Sequence, residues 1–98
     1  MADSSIHVER SAQGKQGEYR VTLEGASQSA TLGWRDEGGV RHAEHTFVPP
    51  DYRGKGVAGR LVEALVEDAR THGFKIAPDC SYVANWFTQH PDAADLRA

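Results

Sequence analysis

The amino-acid sequence predicts an α+β fold: an antiparallel four-strand meander, then a helix, a parallel fifth strand and a C-terminal helix. Its 98 residues are enough for one domain with a single modest core. Apolar and polar residues alternate in the first half, whereas apolar residues recur every three or four positions from Gly56 to His72. Strands followed by strand–helix units are typical of an α+β domain, and we assign residues 1–98 to one such domain.

Four strands are expected in the first half, after a mobile polar tail at residues 1–4. They are predicted at residues 6–8, 18–24, 29–34 and 40–48. Tyr19, Val21 and Leu23 share one face of the second strand and polar residues alternate with them, so this strand should be half buried. Short connections favour antiparallel pairing of neighbouring strands. These connections are predicted at residues 13–17, 25–27 and 36–39.

The second half changes from a strand pattern to a helical one. A long helix, a short strand and a second helix are predicted at residues 56–72, 74–77 and 81–90. Leu61, Leu65 and Ala69 recur at helical spacing, and Gly73 and Pro91 stand where the two helices should end. The long helix lies in the crossover between the fourth and fifth strands, so those two strands should be parallel.

The composition excludes several classes of protein. Hydrophobic residues make up 39% and charged residues 26%, and the formal charge of −3 argues against a general binder of nucleic acids or anionic membranes. No stretch approaches the ~20 apolar residues of a membrane span, and no signal-peptide core is present. One cysteine excludes an intrachain disulfide, and the five histidines show no metal-ligand spacing. We expect a cytoplasmic monomer or weak dimer without a metal.

The loop at residues 53–58 has the features of an anion site. It follows an extended segment and a diproline, and it opens directly into the long helix. Free N–H groups at a helix start attract anions, and Gly54 and Gly56 let the backbone approach a phosphate closely. Arg53 and Lys55 supply positive charge in the same loop. This arrangement predicts a pyrophosphate bound at a strand-to-helix turn.

The loop does not match either of two common nucleotide-binding motifs in full. A Walker A loop requires four residues between its first glycine and Gly-Lys-Ser/Thr, which the sequence lacks. A Rossmann loop requires Gly-x-Gly-x-x-Gly and, about 20 residues later, an acidic residue that binds the ribose. Residues 54–59 do have this glycine spacing, but the strand predicted at residues 74–77 carries no Asp or Glu at its end to bind a ribose. Another kind of phosphate loop is therefore expected.

The segment Arg53-x-x-Gly56-x-Ala58 resembles the coenzyme A pyrophosphate loop of the GNAT superfamily of N-acetyltransferases, Gln/Arg-x-x-Gly-x-Gly/Ala. The resemblance implies that acetyl-CoA is the acyl donor and that an amine, which the sequence does not identify, is the acceptor. It also implies that the pantetheine arm lies between the fourth and fifth strands and pairs with the backbone of the fourth. The implied coenzyme A contacts are Phe47, Val48, Arg53, Gly54, Lys55, Gly56, Val57 and Ala58.

Further segments are similar to the small, single-domain subgroup of that superfamily. The matching stretches are residues 45–50, 52–58, 75–83 and 90–92, and the resemblance is close over residues 40–95. The chain departs from the larger superfamily because it lacks the pair of helices that usually follows the first strand. The acceptor side is therefore expected to be open or to be completed by a partner.

Three residues are candidates for the chemistry of acyl transfer. Cys80 precedes the last helix, where a thiolate could take the acyl group or act as a base. Tyr82 could protonate the leaving thiol, and His45 could act as general base near neutral pH. A core cysteine, a packed tyrosine and a hydrogen-bonded histidine are the structural alternatives. Asn85 could reach the cofactor or be simply exposed, and strand alternation puts His42 on the opposite face from His45.

Two functions remain open from the sequence. The favoured one is an acetyl-CoA-dependent N-acetyltransferase, acting either by direct attack of the amine or through Cys80. The alternative is a non-catalytic acyl-CoA-binding or protein-interaction module that keeps the cofactor site. The presence of Cys80 near the cofactor channel favours the enzyme, and the missing acceptor-side helices favour the alternative.

Overall fold

A computed structural model describes residues 6–98, so the polar tail predicted at residues 1–4 lies outside the described residues. In the described part, the strands are β1 (Glu9–Gln13), β2 (Gln16–Val21), β3 (Ala30–Glu37), β4 (Val40–Phe47) and β5 (Lys75–Ala77). The α-helices are α1 (Val57–His72) and α2 (Ser81–Gln89), and 3₁₀ turns occupy Pro50–Tyr52 and Pro91–Leu96. The strands form one sheet in sequence order, antiparallel from β1 to β4 and parallel between β4 and β5. The predicted fold class is confirmed.

The hydrophobic core lies on one face of this sheet, under the helices. Tyr19 and Leu32 are register partners on β2 and β3, and both are almost fully buried there. Helix α1 contributes Leu61, Val62 and Leu65, none of which is exposed to solvent. Burial of each such side chain stabilises the fold by about 1.5–3 kcal/mol, so packing of its apolar face determines where α1 lies. The opposite face of the sheet carries polar and charged side chains.

The first strand is not where hydrophobic alternation predicted it. The prediction at residues 6–8 is wrong: β1 spans Glu9–Gln13, and all of its residues are exposed. Ile6 and Val8 pack against the core without belonging to a strand. This edge strand is specified by its hairpin with β2, whose turn uses Gly14 with a φ of 66°, because its own side chains bury too little to leave a pattern.

A bulge in β4 changes which residues share a face. Gly33 is opposite His45 and Trp34 is opposite Ala43, so Glu44 is an extra residue in β4. One extra residue reverses the alternation beyond it. The expectation that His42 and His45 lie on opposite faces is therefore wrong, and both project from the face that carries no helix. His42 is half buried there, with Nδ1 2.9 Å from an oxygen of Asp79.

The limits of other strands differ from the predictions by a few residues. Strand β2 ends at Val21, so the half-buried Leu23 lies in the connection to β3. Strand β3 continues to Glu37, and its hairpin with β4 turns at Gly38 and Gly39, which both have positive φ. Pairing to both neighbours extends β3 into a segment whose composition predicted a turn.

A polar network ties the β1–β2 hairpin to α1. The Tyr19 hydroxyl donates to an Asp68 oxygen at 2.9 Å and accepts from Arg41 at 3.0 Å, while Arg10 binds the same Asp68 carboxylate at 2.9 Å. Burial raises the pKa of Tyr19 far above its ordinary value, so its hydroxyl stays protonated. The Arg41 guanidinium stacks over Trp34, 3.6 Å from the ring centroid. Residues of all four antiparallel strands and of α1 thus contact one another at one end of the core.

Truncation of the α1 core face should test the packing account. Leu65→Ala removes a side chain with 0% exposure and should lower the free energy of unfolding by about 2–5 kcal/mol, since the site cannot fully collapse around the cavity. Urea unfolding followed by tryptophan fluorescence measures this change. Thr71→Ala, on the exposed side of the same helix, is the matched control and should change stability by less than ~0.5 kcal/mol. Equal stabilities for the two variants would contradict this account.

Candidate active site

The cleft begins where β4 and β5 separate. Their parallel register joins residues 40–42 to residues 75–77, and the Cys80 N–H donates to the Ala43 carbonyl at 2.9 Å as the last link. Strand β4 continues to Phe47, whereas the chain after β5 turns away at Pro78. The edge of β4 over residues 44–47 is thus left without β5 beside it. The family resemblance implies a pantetheine arm in this gap, and that placement stays a prediction.

A cleft of about 480 Å³ lies at the end of this gap. Its walls come from the end of β4, the 3₁₀ turn, the loop before α1 and the start of α2. The lining residues are Thr46, Phe47, Val48, Tyr52, Arg53, Gly54, Gly56, Val57, Ala58 and Tyr82. Most of the coenzyme A contacts predicted from the sequence therefore meet in one place, together with one catalytic candidate, Tyr82.

The loop before α1 presents the start of that helix without covering it. Gly54 and Gly56 have φ of 80° and 82°, in the left-handed region that favours glycine. Gly56 is the N-cap of α1, and no side chain caps the helix there. A Cβ added at either glycine would meet no atom within 4 Å, so the space beside the loop is open. This geometry fits a phosphate approaching the first N–H groups of α1.

Side chains of the loop and of the preceding turn anchor the rim of the cleft. Arg53 donates from Nε to the Val48 carbonyl at 2.9 Å, which ties the loop to the end of β4. The Tyr52 hydroxyl donates to the Glu24 carbonyl and ties the 3₁₀ turn to the connection between β2 and β3. Lys55 is exposed and lies outside the cleft lining. Its predicted contact with coenzyme A would require its long side chain to reach over the rim.

Cys80 is the N-cap residue of α2 and lies across the gap from β4. Its Sγ donates a weak hydrogen bond to Thr46 Oγ1, 3.5 Å away. Partial burial raises the pKa of the Cys80 thiol, but the Thr46 hydroxyl and the N–H groups of Val83 and Tyr82 favour the thiolate. These hydrogen bonds outweigh burial, and the pKa is lowered from that of an ordinary thiol. The thiol is half buried, and its partner Thr46 lines the cleft.

Two other candidates from the sequence stand on α2. Tyr82 is 41% exposed, and its hydroxyl lies 3.8 Å from the position of a Cβ at Gly59. The Tyr82 side chain therefore reaches from α2 to the first turn of α1 and closes one side of the cleft. Asn85 is exposed and is not part of the cleft lining.

The structure separates His45 from the cleft. Its ring covers Gly33, where a Cβ would lie 2.9 Å from Cε1 of His45, so the absence of a side chain at Gly33 makes room for the ring. His45 lines a different depression, of about 650 Å³, on the helix-free face of the sheet, together with Glu18 and Glu44. His45 and Cys80 thus lie on opposite sides of the end of β4. The catalytic roles of His45, Tyr82 and Cys80 stay predictions.

Sequence reasoning missed two residues that shape the cleft, Thr46 and Tyr52. Tyr52 directly precedes the predicted phosphate loop, and that adjacency was a usable signal. The bulge at Glu44 turns the Thr46 side chain to the same face as its register partner Leu32. Simple alternation along the strand does not predict that orientation. The contact of Thr46 with Cys80 joins residues 34 positions apart and left no local pattern in the sequence.

Within residues 6–98, no group of three or more His, Cys, Asp or Glu side chains could hold a metal ion. In the same part of the chain, neither α-helix is long and apolar enough to cross a membrane. The expected cytoplasmic location and the expected monomer or weak dimer stay predictions.

Comparison with known proteins shows the family to which this chain belongs. The model of a family described as "GCN5-related N-acetyl-transferase" matches residues 18–96. The chain belongs to the GCN5-related N-acetyltransferase (GNAT) superfamily. This GNAT chain is also 30% identical over 87 residues to "Protein NATD1" of Mus musculus, an alignment that covers 88% of this chain and 77% of that protein. Membership of the superfamily supports an acyltransferase.

The pH dependence of thiol alkylation should show the environment of Cys80. The chain has one cysteine, so iodoacetamide reports on this thiol alone. Because its pKa is lowered in the folded state, alkylation should reach half of its maximal rate at a lower pH than in urea-unfolded protein. Mass spectrometry of samples quenched at set times between pH 6 and 10 measures both profiles. A folded-state midpoint at or above the unfolded one would contradict the assigned hydrogen bonds.

Proposed function

We propose that this GNAT protein binds acetyl-CoA in the cleft at the end of β4 and transfers the acetyl group to an amine. One observation carries the proposal: the uncapped start of α1, with open space beside Gly54 and Gly56, adjoins the edge of β4 that β5 leaves free. The pyrophosphate would accept hydrogen bonds from the loop and helix N–H groups. The pantetheine amides would pair with the backbone near Phe47 and Val48.

Local charge supports the same placement. The chain has a formal charge of −3, yet the loop carries Arg53 and Lys55, and the first turn of α1 has no acidic residue. Positive charge and the N-terminal end of the helix dipole act together on an anion there. Coenzyme A is an anion with an apolar arm. It suits a cleft that is charged at the loop and lined by Phe47 and Val48 at the strand end and by Val57 at the start of α1.

Two routes for the acetyl group are compatible with the cleft. In the direct route the amine attacks the thioester carbonyl, gives its proton to a base such as His45, and the coenzyme A thiolate takes a proton from Tyr82. In the Cys80 route the Cys80 thiolate attacks the thioester and releases coenzyme A thiolate. The amine then attacks acetyl-Cys80, loses a proton and frees the thiol. The lowered pKa of Cys80 and its position across the gap support the second route.

We propose that the acceptor approaches from the helix-free face of the sheet. The depression of about 650 Å³ beside His45 opens on that face, and it is lined by Glu18 and Glu44, which are paired with Arg20 and Arg35. An amine that enters there would reach His45, which could accept its proton during attack. The acceptor would then meet the acetyl group at the end of β4, from the side opposite to the helices.

A second function is favoured by the same open face. Among residues 6–98, no helix covers this side of the sheet, so an acceptor pocket is not enclosed by the chain itself. The alternative is therefore a non-catalytic acyl-CoA-binding or protein-interaction module. Both functions need coenzyme A in the same cleft, and only the first needs transfer of the acetyl group.

Removal of the loop cations should weaken coenzyme A binding. Arg53→Ala is expected to raise the Kd for coenzyme A at least ~10-fold, a loss of about 1.4 kcal/mol, because it removes a charge at the phosphate site and the anchor to Val48. Lys55→Ala should weaken binding less, since this side chain lies outside the cleft lining. Isothermal titration calorimetry measures both.

Matched controls come from cations far from the cleft. Arg20→Ala on the helix-free face and Lys15→Ala in the first hairpin remove the same charges, and binding should stay within about twofold of wild type. Equal losses in Arg53→Ala and Arg20→Ala would mean that only net charge matters. Unchanged affinity in a folded Arg53→Ala variant would contradict the phosphate site.

Intact mass should separate the two chemical routes. Incubation with acetyl-CoA should add one acetyl group to wild type, and peptide mapping should place it on Cys80. Cys80→Ala should keep coenzyme A binding and lose this modification, since the nucleophile is gone. Retained transfer to an amine by Cys80→Ala would leave the direct route. Coenzyme A binding without any transfer to a panel of amines would favour the non-catalytic module.

A further inference from the structure

Thr46 is the point at which the end of β4 contacts the thiol across the gap. Its Oγ1 lies 3.5 Å from Cys80 Sγ, and Thr46 lines the cleft with Phe47 and Val48. The bulge at Glu44 directs Thr46 to this side of the sheet. Thr46 belongs to the strand edge along which the pantetheine is proposed to lie, so the contact links the acyl-donor side of the cleft to Cys80.

The backbone on both sides of this contact is held firmly. On the Cys80 side, its N–H donates to the Ala43 carbonyl at 2.9 Å, and its carbonyl accepts the Ala84 N–H at 3.0 Å. On the other side, Thr46 is paired in register with Leu32, which is fully buried. The β-branched Thr46 side chain has few rotamers within a strand. The hydroxyl is therefore presented to the sulfur by fixed backbone.

A hydroxyl suits a sulfur that changes protonation state. It accepts the S–H hydrogen bond while the thiol is protonated, and after rotation it donates O–H to the thiolate. A hydrogen bond to a charged acceptor is stronger than one between neutral groups. Thr46 can consequently hold the sulfur in one place before and after proton loss.

We propose that Thr46 is a positioning residue of the active site: its hydroxyl fixes the Cys80 sulfur at the end of the β4–β5 gap, where the thioester would lie. The role of Thr46 in acyl transfer rests on the function proposed above. The orientation of the thiol by Thr46 is independent of that function and can be measured without acetyl-CoA. A purely structural Thr46 would fill space in the strand and would leave the chemistry of the sulfur unchanged when its shape is preserved.

Two substitutions distinguish positioning from packing. Thr46→Val keeps the branched shape and removes the hydroxyl, whereas Thr46→Ser keeps the hydroxyl and removes a methyl group. The iodoacetamide rate at pH 7 should fall about three- to tenfold in Thr46→Val, with the midpoint of the pH profile moved upward, because a hydrogen bond to the thiolate is lost. Thr46→Ser should keep the wild-type midpoint.

A spectroscopic measurement on wild type supplies an independent readout. The S–H stretching band in the Raman spectrum arises from Cys80 alone, since the chain has one cysteine. It should lie at the frequency of a hydrogen-bonded thiol in wild type and Thr46→Ser, and move to that of a free thiol in Thr46→Val. If Thr46→Val does not fold, the wild-type band by itself decides whether the bond exists, and a free-thiol frequency would overturn the proposal.

Activity then tests the role in transfer separately. With wild type transferring acetyl groups, Thr46→Val should lower kcat and leave KM for acetyl-CoA within about twofold. The lost hydroxyl contacts the sulfur, whereas the pantetheine would pair with the backbone of β4, which the substitution keeps. A Thr46→Val variant with wild-type alkylation and kcat would overturn the proposal. If wild type transfers nothing while Thr46→Val shifts the alkylation profile, the proposed function fails and the assignment of Thr46 to the thiol stands.

Discussion

The early end of the parallel pairing between β4 and β5 is the constraint on which the rest of the site depends. Three register pairs and the bond from the Cys80 N–H to the Ala43 carbonyl hold the two strands together. Beyond that bond β4 continues to Phe47, while the other chain segment enters α2 at Ser81 and no longer pairs with it. This bond is therefore the last one before the gap, and it holds Cys80 at the edge of the gap.

Packing of its apolar face against the sheet determines the position of helix α1, and this position exposes the helix start at the proposed anion site. Packing of its leucines against the sheet is worth several times the interaction of a helix end with a charge. The helix start is then exposed next to the end of β4, with its N–H groups uncapped. Gly54 and Gly56 keep the approach to it free of side chains, and Arg53 ties the loop to the strand end. The proposed phosphate site would thus arise from core packing plus a short glycine loop.

The bulge at Glu44 divides the candidate chemistry between two sides of one strand. It places His45 on the helix-free face over Gly33, and Thr46 on the side of the core next to Cys80. A donor in the cleft and an acceptor on the open face could then meet at the end of β4 without crossing each other. Among residues 6–98, no helix covers that face of the sheet, which leaves room for a large acceptor. The same openness supports the non-catalytic alternative.

The sequence by itself determined the fold class, the long helix and the glycine loop that precedes it. Those features depend on local rules: alternation in β2 and β3, helical spacing in α1, and glycines and cations in consecutive positions. The resemblance of residues 53–58 to the coenzyme A loop named the superfamily, and the match over residues 18–96 confirms it.

Only the tertiary structure decided which side chains meet. The exposed strand β1 buries too little to leave an apolar pattern, and its position comes from pairing with β2. One extra residue in β4 moved His45 to the same face as His42, which no count of alternation could reveal. The contact of Thr46 with Cys80 spans 34 positions of sequence and depends on where two strands separate. Contacts of this kind are set by register and packing, so they become visible only when the sheet is assembled.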